Sequence, residues 1–423
     1  MRKLLRYLVV GSLALLAKGV VRRYKPRIVM VTGSVGKTST KDAVAAVLST
    51  SYLVRKSEKS FNSEFGVPFT IIGAKNPHKN ILAWMGVVKR ALALLILPNH
   101  YPNMLVLEVG ADKPGDLARI LRTATPDAVV VTRLPEIPVH VEAYSSPAAV
   151  REEEFSPAYA LRSGAPLIIS ADDPYSLDAV MRSSAKIISY GVAEGATLRV
   201  KKADFHAEHK KVTGMQMTLL VGGKEQSIVV QGSVGLTQLF PAAAALATAV
   251  ALEVPIAEAL RGLTSYIPPA GRGRLLVGKQ GAVIIDDSYN ASPVAVEQAL
   301  ETLKAFPHAK RRIAVLGDML ELGRYSATEH ERIGMLACKA ADIVIAVGVR
   351  ARAYATSPCG TEIQLYDTAA LAGAALAEML KPGDVVLVKG SQSIRTEKVV
   401  EALLFDPADA SLLVRQDGDW KRR

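Results

Sequence analysis

Val29-Met30-Val31-Thr32-Gly33-Ser34-Val35-Gly36-Lys37-Thr38-Ser39 decides the fold. A short β-branched run enters a loop with two glycines, and Lys37 opens a helical stretch reaching to about Thr50. Glycine lets the backbone bend so that successive N–H groups face one point. The first turn of a helix adds unpaired donors and positive potential at the same place. The stretch is a phosphate cradle. Gly33, Ser34 and Gly36 shape it, Lys37 reaches the outer phosphates, Thr38 offers a hydroxyl to Mg²⁺, and Ser39 continues the first turn. The long form of this motif has glycine where Val31 stands, so the loop is a shorter variant. A P-loop of this kind also needs an acid at the end of a nearby strand for the metal. Leu105-Val106-Leu107-Glu108 supplies one in Glu108.

Outward from the cradle, short apolar runs alternate with helical stretches. Arg27–Thr32, Met104–Glu108, Ala128–Thr132 and Leu167–Ser170 read as strands, each followed by a loop with Gly, Pro or Asp. Strands alternating with helices predict a parallel sheet covered on both faces. Val200–Val230, with a turn at Gly222-Gly223, reads instead as a small antiparallel insertion, and Ala242–Leu252 as an alanine-rich helix. Pro268-Pro269-Ala270-Gly271 marks a boundary. Beyond it Ala282–Asp286, Arg312–Leu316, Ile343–Val347 and Val385–Val388 resume the strand-then-helix rhythm, and the tail after Phe405 reads as polar and loosely held. The expected fold class is α/β. A P-loop domain over 27–267 carries a mostly parallel sheet with the antiparallel insertion, and a Rossmann-like α/β domain over 268–423 follows it. An apolar helix over 1–26 precedes both.

Bulk properties set the outer limits. The chain of 423 residues has a net charge of +12, with 49% hydrophobic and 22% charged residues, as in ordinary globular proteins. Eight of the cations lie between Met1 and Arg27, with no acid among them. Leu4–Val21 is apolar, flanked by those cations and close to the shortest length that spans a bilayer. It is expected to anchor the chain, across the membrane or in its plane, with the basic cluster on the cytoplasmic side. Packing on the first domain is the alternative. No small-residue cleavage site follows, against a signal peptide. Ile81–Leu97 is a second apolar stretch, suited either to the same membrane face or to burial. Cys338 and Cys359 are too few for a disulfide framework and point to a reducing, cytoplasmic setting. Aromatics make up only 5% and are not interleaved with the cations, which argues against nucleic acid as partner.

Four further segments are not explained by phosphate binding: Phe61-Asn62-Ser63-Glu64-Phe65-Gly66, Asp286-Asp287-Ser288-Tyr289-Asn290-Ala291-Ser292-Pro293, Gly317-Asp318-Met319-Leu320-Glu321-Leu322-Gly323 with His330, and Lys389-Gly390-Ser391 with Arg395 and Glu397. With the cradle, this ordered set resembles the Mur ligase family over roughly residues 27–405, and within it the branch that adds D-alanyl-D-alanine. The resemblance implies an ATP- and Mg²⁺-dependent ligase of peptidoglycan precursors. It would join D-Ala-D-Ala to a muramoyl tripeptide through an acyl phosphate, at the inner membrane face. Carried over by position, Lys37, Glu108, His140, Glu154 and Arg272 are catalytic, and Thr38, Glu108, His140 and Glu154 hold metal. The cradle residues with Arg272, Tyr289 and Asn290 bind nucleotide. Asn62, Asp318, Glu321, Lys389, Ser391 and Arg395 bind substrate.

Three departures qualify the likeness. The P-loop begins about thirty residues in, so the family's N-terminal UDP-binding domain is expected to be missing. Where the family has a carbamoylated lysine, this chain reads Arg151-Glu152-Glu153-Glu154-Phe155. Glu154 aligns best and Glu153 next, and either carboxylate offers hard oxygens to Mg²⁺. The family's His and Asn near the alanine-rich helix are Thr237 and Pro241. Two other readings stay open: a ligase for a different amino acid or polymer acceptor, and a membrane-bound nucleotide-binding regulator that makes no bond.

Overall fold

The computed structural model describes residues 2–58, 61–78, 80–356, 360–416 and 420. Two sheets stand in sequence. The first has nine strands: β1 (Arg27–Thr32), β2 (Val54–Lys56), β3 (Met104–Glu108), β4 (Ala128–Val131), β5 (Pro166–Ser170), β6 (Lys186–Gly191), β7 (Leu198–Glu208), β8 (Lys211–Val221) and β9 (Lys224–Gln231). Their order is β2-β3-β1-β4-β5-β6-β7-β8-β9. Pairing is parallel as far as β7, and β7–β8 and β8–β9 are antiparallel. The expected insertion is therefore an extension of the main sheet. Glycine is required inside it at Gly214, where a Cβ would lie 2.1 Å from the Val230 carbonyl oxygen.

Strand β1 is flanked by β3 on one side and β4 on the other, and the chain reverses its direction of travel across the sheet there. Such a switch point opens a crevice at the strands' carboxyl ends. The P-loop leaves β1 at that crevice, and Val31 pairs with Glu108 of β3, so register alone sets the acid beside the loop.

The second sheet holds β10 (Arg274–Val277), β11 (Val283–Asp287), β12 (Arg311–Gly317), β13 (Ile343–Val347), β14 (Glu362–Tyr366) and β15 (Asp384–Lys389). The order is β10-β11-β15-β12-β13-β14, antiparallel only at β10. The carboxyl ends of β11, β12 and β15 carry the Asp286, Gly317 and Lys389 motifs. The chain passes between the sheets through Gly271-Arg272-Gly273. Both glycines have φ of +65°, and a Cβ would strike Val414 at the first and the Val234 carbonyl at the second.

Six helices of the first domain matter for the site: α1 (Arg2–Tyr24), α2 (Lys37–Leu48), α3 (Gly66–Ile72), α4 (Ile81–Ile96), α5 (Asp116–Thr123) and α6 (Pro147–Tyr159). Helix α1 packs on the domain, with Leu13, Ala17 and Val20 in the core formed with Ile28, Met30 and Leu105. Tyr24 stacks on Tyr101 at 4.6 Å and donates to the Leu94 carbonyl at 2.9 Å. Among the described residues no helix is long and apolar enough to cross a membrane, which corrects the expectation of a spanning anchor over 4–21. Lys18 interrupts the apolar run, and one face of α1 is already covered by protein. Helix α4 is two-sided: Val87, Ala91 and Leu94 are buried, whereas Ile81, Leu82, Met85, Val88, Leu92 and Ile96 are exposed.

The tail also differs from expectation. Residues Pro407–Leu412 form a 3-10 helix, Leu413 and Val414 are buried, and Arg415 reaches back into the second domain. Its guanidinium donates to the Ser288 and Tyr289 carbonyls and to Glu397. The tail was polar in composition, but these buried residues tie it down. Cys359 lies outside the described residues.

Candidate active site

A cleft of about 570 Å³ lies where the carboxyl ends of the two sheets face one another. Its first wall is the P-loop. Gly36, in the left-handed region at φ of 86°, precedes α2 with no side-chain cap, so the first N–H groups of the helix are left for a ligand. Ser34, Val35, Gly36, Lys37 and Thr38 line the cleft. Lys37 folds back onto the Gly33 carbonyl and lies 3.7 Å from Glu154. Gly33 itself is outside the lining. Its role is steric, since a Cβ there would lie 2.4 Å from the Thr132 hydroxyl. Ser39 is buried in α2 and does not line the cleft either.

Two buried carboxylates stand behind Lys37. Glu108 accepts from the Thr38 hydroxyl at 3.1 Å, and its second oxygen, Oε2, has no hydrogen-bond partner. Glu154 accepts from the Ser34 hydroxyl, and its own carbonyl accepts from Thr32 Oγ1 at 2.7 Å. Burial raises the pKa of both, opposed at Glu108 by Lys41 and Lys37 and at Glu154 by Lys37 and the Ser34 bond. A buried acid with an unpaired oxygen is costly unless a cation or donor arrives. The choice between the two glutamates of α6 is a matter of helical phase. Glu154 faces the cleft, whereas Glu153 accepts the Gly115 and Leu117 N–H groups at 3.1 and 3.0 Å and caps α5.

His140 stands at the cleft mouth in the left-handed region. Its Nδ1 lies 2.9 Å from Glu321 of the second domain, and its Nε2 lies 3.6 Å from Asp112. Burial works against the imidazolium, but the hydrogen bond and charge of Glu321, with Asp112, outweigh it and raise the pKa. The same bond lowers the pKa of Glu321. Glu321 thus meets the other domain as well as the cleft.

The second wall comes from the C-terminal domain. Tyr289, Asn290, Leu320, Glu321 and Ser391 line it, and Arg272 enters from the domain junction with its guanidinium 4.3 Å from the Tyr289 ring centre. Asn62 of the first domain also lines the cleft, and its carbonyl accepts the Gly110 N–H at 3.0 Å.

Three expected substrate contacts do not reach the cleft. Asp318 turns back to accept the Ala351 N–H at 2.7 Å. Lys389 is buried, donating to Asp287 at 2.7 Å and to the Asn290 carbonyl at 2.9 Å. Arg395 donates to Glu397 and lies over Trp420, and of these it is Trp420 that lines the cleft. In each case an opposite charge or a backbone group of the same domain lies closer than the cleft. His330 behaves similarly, with Nε2 accepting from Met319 N–H at 3.0 Å and Nδ1–H donating to the Ser326 carbonyl at 2.6 Å.

Sequence reasoning missed Asp112, Gln392, Ser393 and Trp420 in the lining, and Lys41 behind it. Lys41 is buried, donates to the Ser57 carbonyl at 2.8 Å and acts on Glu108. Its signal was available: it lies one helical turn beyond Lys37, on the same face. A second cavity of about 110 Å³ lies across Val35 and Gly36 from the cleft, bordered by Tyr190, Phe240, Thr237 and Pro241. The two positions that depart from the family pattern therefore face one common space.

Fold and cleft define a two-domain P-loop protein whose phosphate cradle faces a second α/β domain. Residues 31–249 match the Mur ligase middle domain and residues 271–392 the Mur ligase glutamate ligase domain. The chain belongs to the Mur ligase family, whose members are ATP-dependent ligases. It is 26% identical over 403 residues to the UDP-N-acetylmuramoyl-tripeptide--D-alanyl-D-alanine ligase of Bacillus subtilis, covering 94% of this chain and 80% of that one. The enzyme of the same description from Escherichia coli is 28% identical, over 92% and 79%. Among solved structures, the MurF ligase of Thermotoga maritima in complex with ADP superposes with a TM-score of 0.77 at 27% identity, over 93% of this chain and 83% of that one.

Proposed function

We propose that this chain joins D-alanyl-D-alanine to the tripeptide carboxylate of a muramoyl peptidoglycan precursor, consuming ATP. The observation that carries the reading is the convergence of Lys37, Glu108, Glu154, His140, Arg272 and Asn290 on one cleft between two domains. The P-loop N–H groups and Lys37 hold the triphosphate. Arg272 approaches from the opposite side, so cations flank the phosphoryl group as it passes to the substrate carboxylate and gives an acyl phosphate. The amine of the dipeptide then attacks the acyl carbon, and phosphate leaves as the amide forms. The cleft lies between the domains, and the His140–Glu321 contact joins them across it, which keeps water from the acyl phosphate.

Mg²⁺ fits the donor set. Among the described residues no group of three or more His, Cys, Asp or Glu side chains is gathered for a metal. Mg²⁺ needs only one or two carboxylates when phosphate oxygens and water complete its shell. Thr38 and Glu108, with its unpartnered oxygen, suit one ion beside the cradle, and Glu154 and His140 suit a second. Mg²⁺ would neutralise charge on the phosphates, and the Glu154 carboxylate would offer it anionic oxygens in place of the family's lysine carbamate. Lys389 and Asp318 shape the dipeptide side without touching it. Thr237, Phe240 and Pro241 border the space for the base.

The exposed stripe of α4 and the basic flanks of α1 support placing the enzyme against the cytoplasmic face of the membrane. The test is product formation from ATP, D-Ala-D-Ala and the UDP-linked muramoyl tripeptide, read as the pentapeptide by mass. Glu154→Gln should lower turnover by about 10²-fold and raise the Mg²⁺ requirement. An unchanged Mg²⁺ response would remove Glu154 from the metal site.

A further inference from the structure

A groove of about 850 Å³ lies between α1, the start of α3 and α5, bigger than the catalytic cleft itself. One wall is apolar: Val10, Ala14 and Leu15 of α1 face Pro68 and Ile120. Leu15 is 72% exposed. The rest of the border is polar and mixed in charge, with Lys18, Lys113, Arg119 and Arg122 set among Glu64, Asp112 and Asp116. Arg119 is held by Glu64 and Asp116. Lys18, Lys113 and Arg122 also border the groove and form no ion pair among the described residues. The groove is continuous with the active site through Asp112, which lines both cavities and lies 3.6 Å from His140.

Apolar surface at one part and unpaired ammonium and guanidinium groups at another fit one class of ligand, an apolar chain joined to a phosphate-type head. The apolar chain gains by leaving water, and the phosphates gain from cations lacking carboxylate partners. A nucleoside diphosphate would leave the apolar wall wet, and a plain fatty chain would leave the cations unmatched.

We propose that this groove anchors the acceptor substrate as an amphiphile, its apolar chain along α1 and its phosphates against Lys18, Lys113 and Arg122. The polar end then points past Asp112 toward His140 and the P-loop. This rests on the ligase reading above and names the acceptor class for it. Gly11 provides a clean probe. It borders the groove, and a Cβ there meets no heavy atom within 4 Å. A larger residue in this helix position therefore fills the groove without a backbone clash and improves helix propensity.

The experiment measures binding of farnesyl diphosphate, farnesol and inorganic diphosphate to the full chain saturated with ADP, so that the P-loop is filled. Farnesyl diphosphate should bind saturably, and the other two about tenfold or more weakly. Gly11→Phe, checked for a retained thermal transition, should weaken farnesyl diphosphate by about tenfold. Lys113→Glu, on an exposed residue, should weaken it and flatten its salt dependence. Equal binding of farnesol, displacement by further ADP, or undiminished binding in both variants would overturn the proposal. The assay reads binding alone. Pentapeptide formation without farnesyl diphosphate binding sinks only the groove, and binding without ligated product from either the UDP-linked or a polyprenyl-diphosphate-linked muramoyl tripeptide sinks only the ligase reading.

Discussion

The two walls of the cleft use their polar residues in opposite ways. On the P-loop side, Glu108 and Glu154 are buried with raised pKa, one oxygen of Glu108 is unpartnered, and the first turn of α2 is uncapped. On the C-terminal side, Lys389 is matched by Asp287, Asp318 by the Ala351 N–H, and Glu397 by Arg395 and Arg415. The first wall is left incomplete for a ligand, whereas most charged groups behind the second are matched within the domain, the buried Asp286 Oδ2 excepted. Both carry equally distinctive motifs, so a motif marks a constrained residue without saying whether the constraint is chemical or architectural.

Exchanging the outcomes of equivalent substitutions would break that contrast. Lys37→Met should lower kcat/KM by about 10³-fold or more while costing less folding stability than Lys389→Met, since Lys37 is partly exposed and its pair with Glu154 is long at 3.7 Å. Steady-state kinetics beside denaturant melts check both halves. Lys389→Met should do the reverse. It strands Asp287 without its cation and should cost about 3–5 kcal/mol, with the remaining folded fraction keeping most of its turnover. If the lysine variants lost activity and stability in the same proportions, the two walls would not differ in kind.

A pH series sharpens the comparison. Burial raises the Asp286 carboxyl from 3.8 to about 6, against the bonds it accepts from Ser288. The folded state therefore favours the protonated acid. That contribution is complete below about pH 4 and is lost as pH rises through about 6. Asp286→Asn, neutral throughout, should gain about 1–3 kcal/mol over the parent above pH 7, and the gain should vanish below about pH 4. Melts that show a constant difference across the range would contradict the assignment. The smallest effect belongs to α6. Glu153→Ala removes the cap on α5 and should cost about 1 kcal/mol with turnover unchanged, in contrast to Glu154→Gln next to it.

The first wall was legible because it is local. A strand, a glycine loop and a helix start lie within eleven consecutive residues, and β3 ends in an acid that register then places beside them. Most strand positions were readable from apolar runs, with ends displaced by a residue or so, but β2, β6, β10 and β14 were not read. The second wall was not legible in the same way. Sequence names Asp318, Lys389 and Arg395 but not the direction of their side chains, which depends on partners such as Ala351, Asp287 and Glu397 brought by other elements. The fate of α1 was similar: composition alone does not tell a lipid-facing helix from one seated on Ile28 and Met30, since both bury the same apolar face. Arg415 was missed because one buried guanidinium outweighs the polar composition around it.

The passage between the sheets has a mechanical consequence. The chain crosses from one domain to the other through Gly271-Arg272-Gly273, two left-handed glycines on either side of the arginine that faces the phosphate cradle. The pivot and the reaching cation are thus one part. A rotation about that tripeptide also sweeps the guanidinium across the cleft mouth, so the angle between the domains and the distance from Arg272 to the cradle are a single geared coordinate.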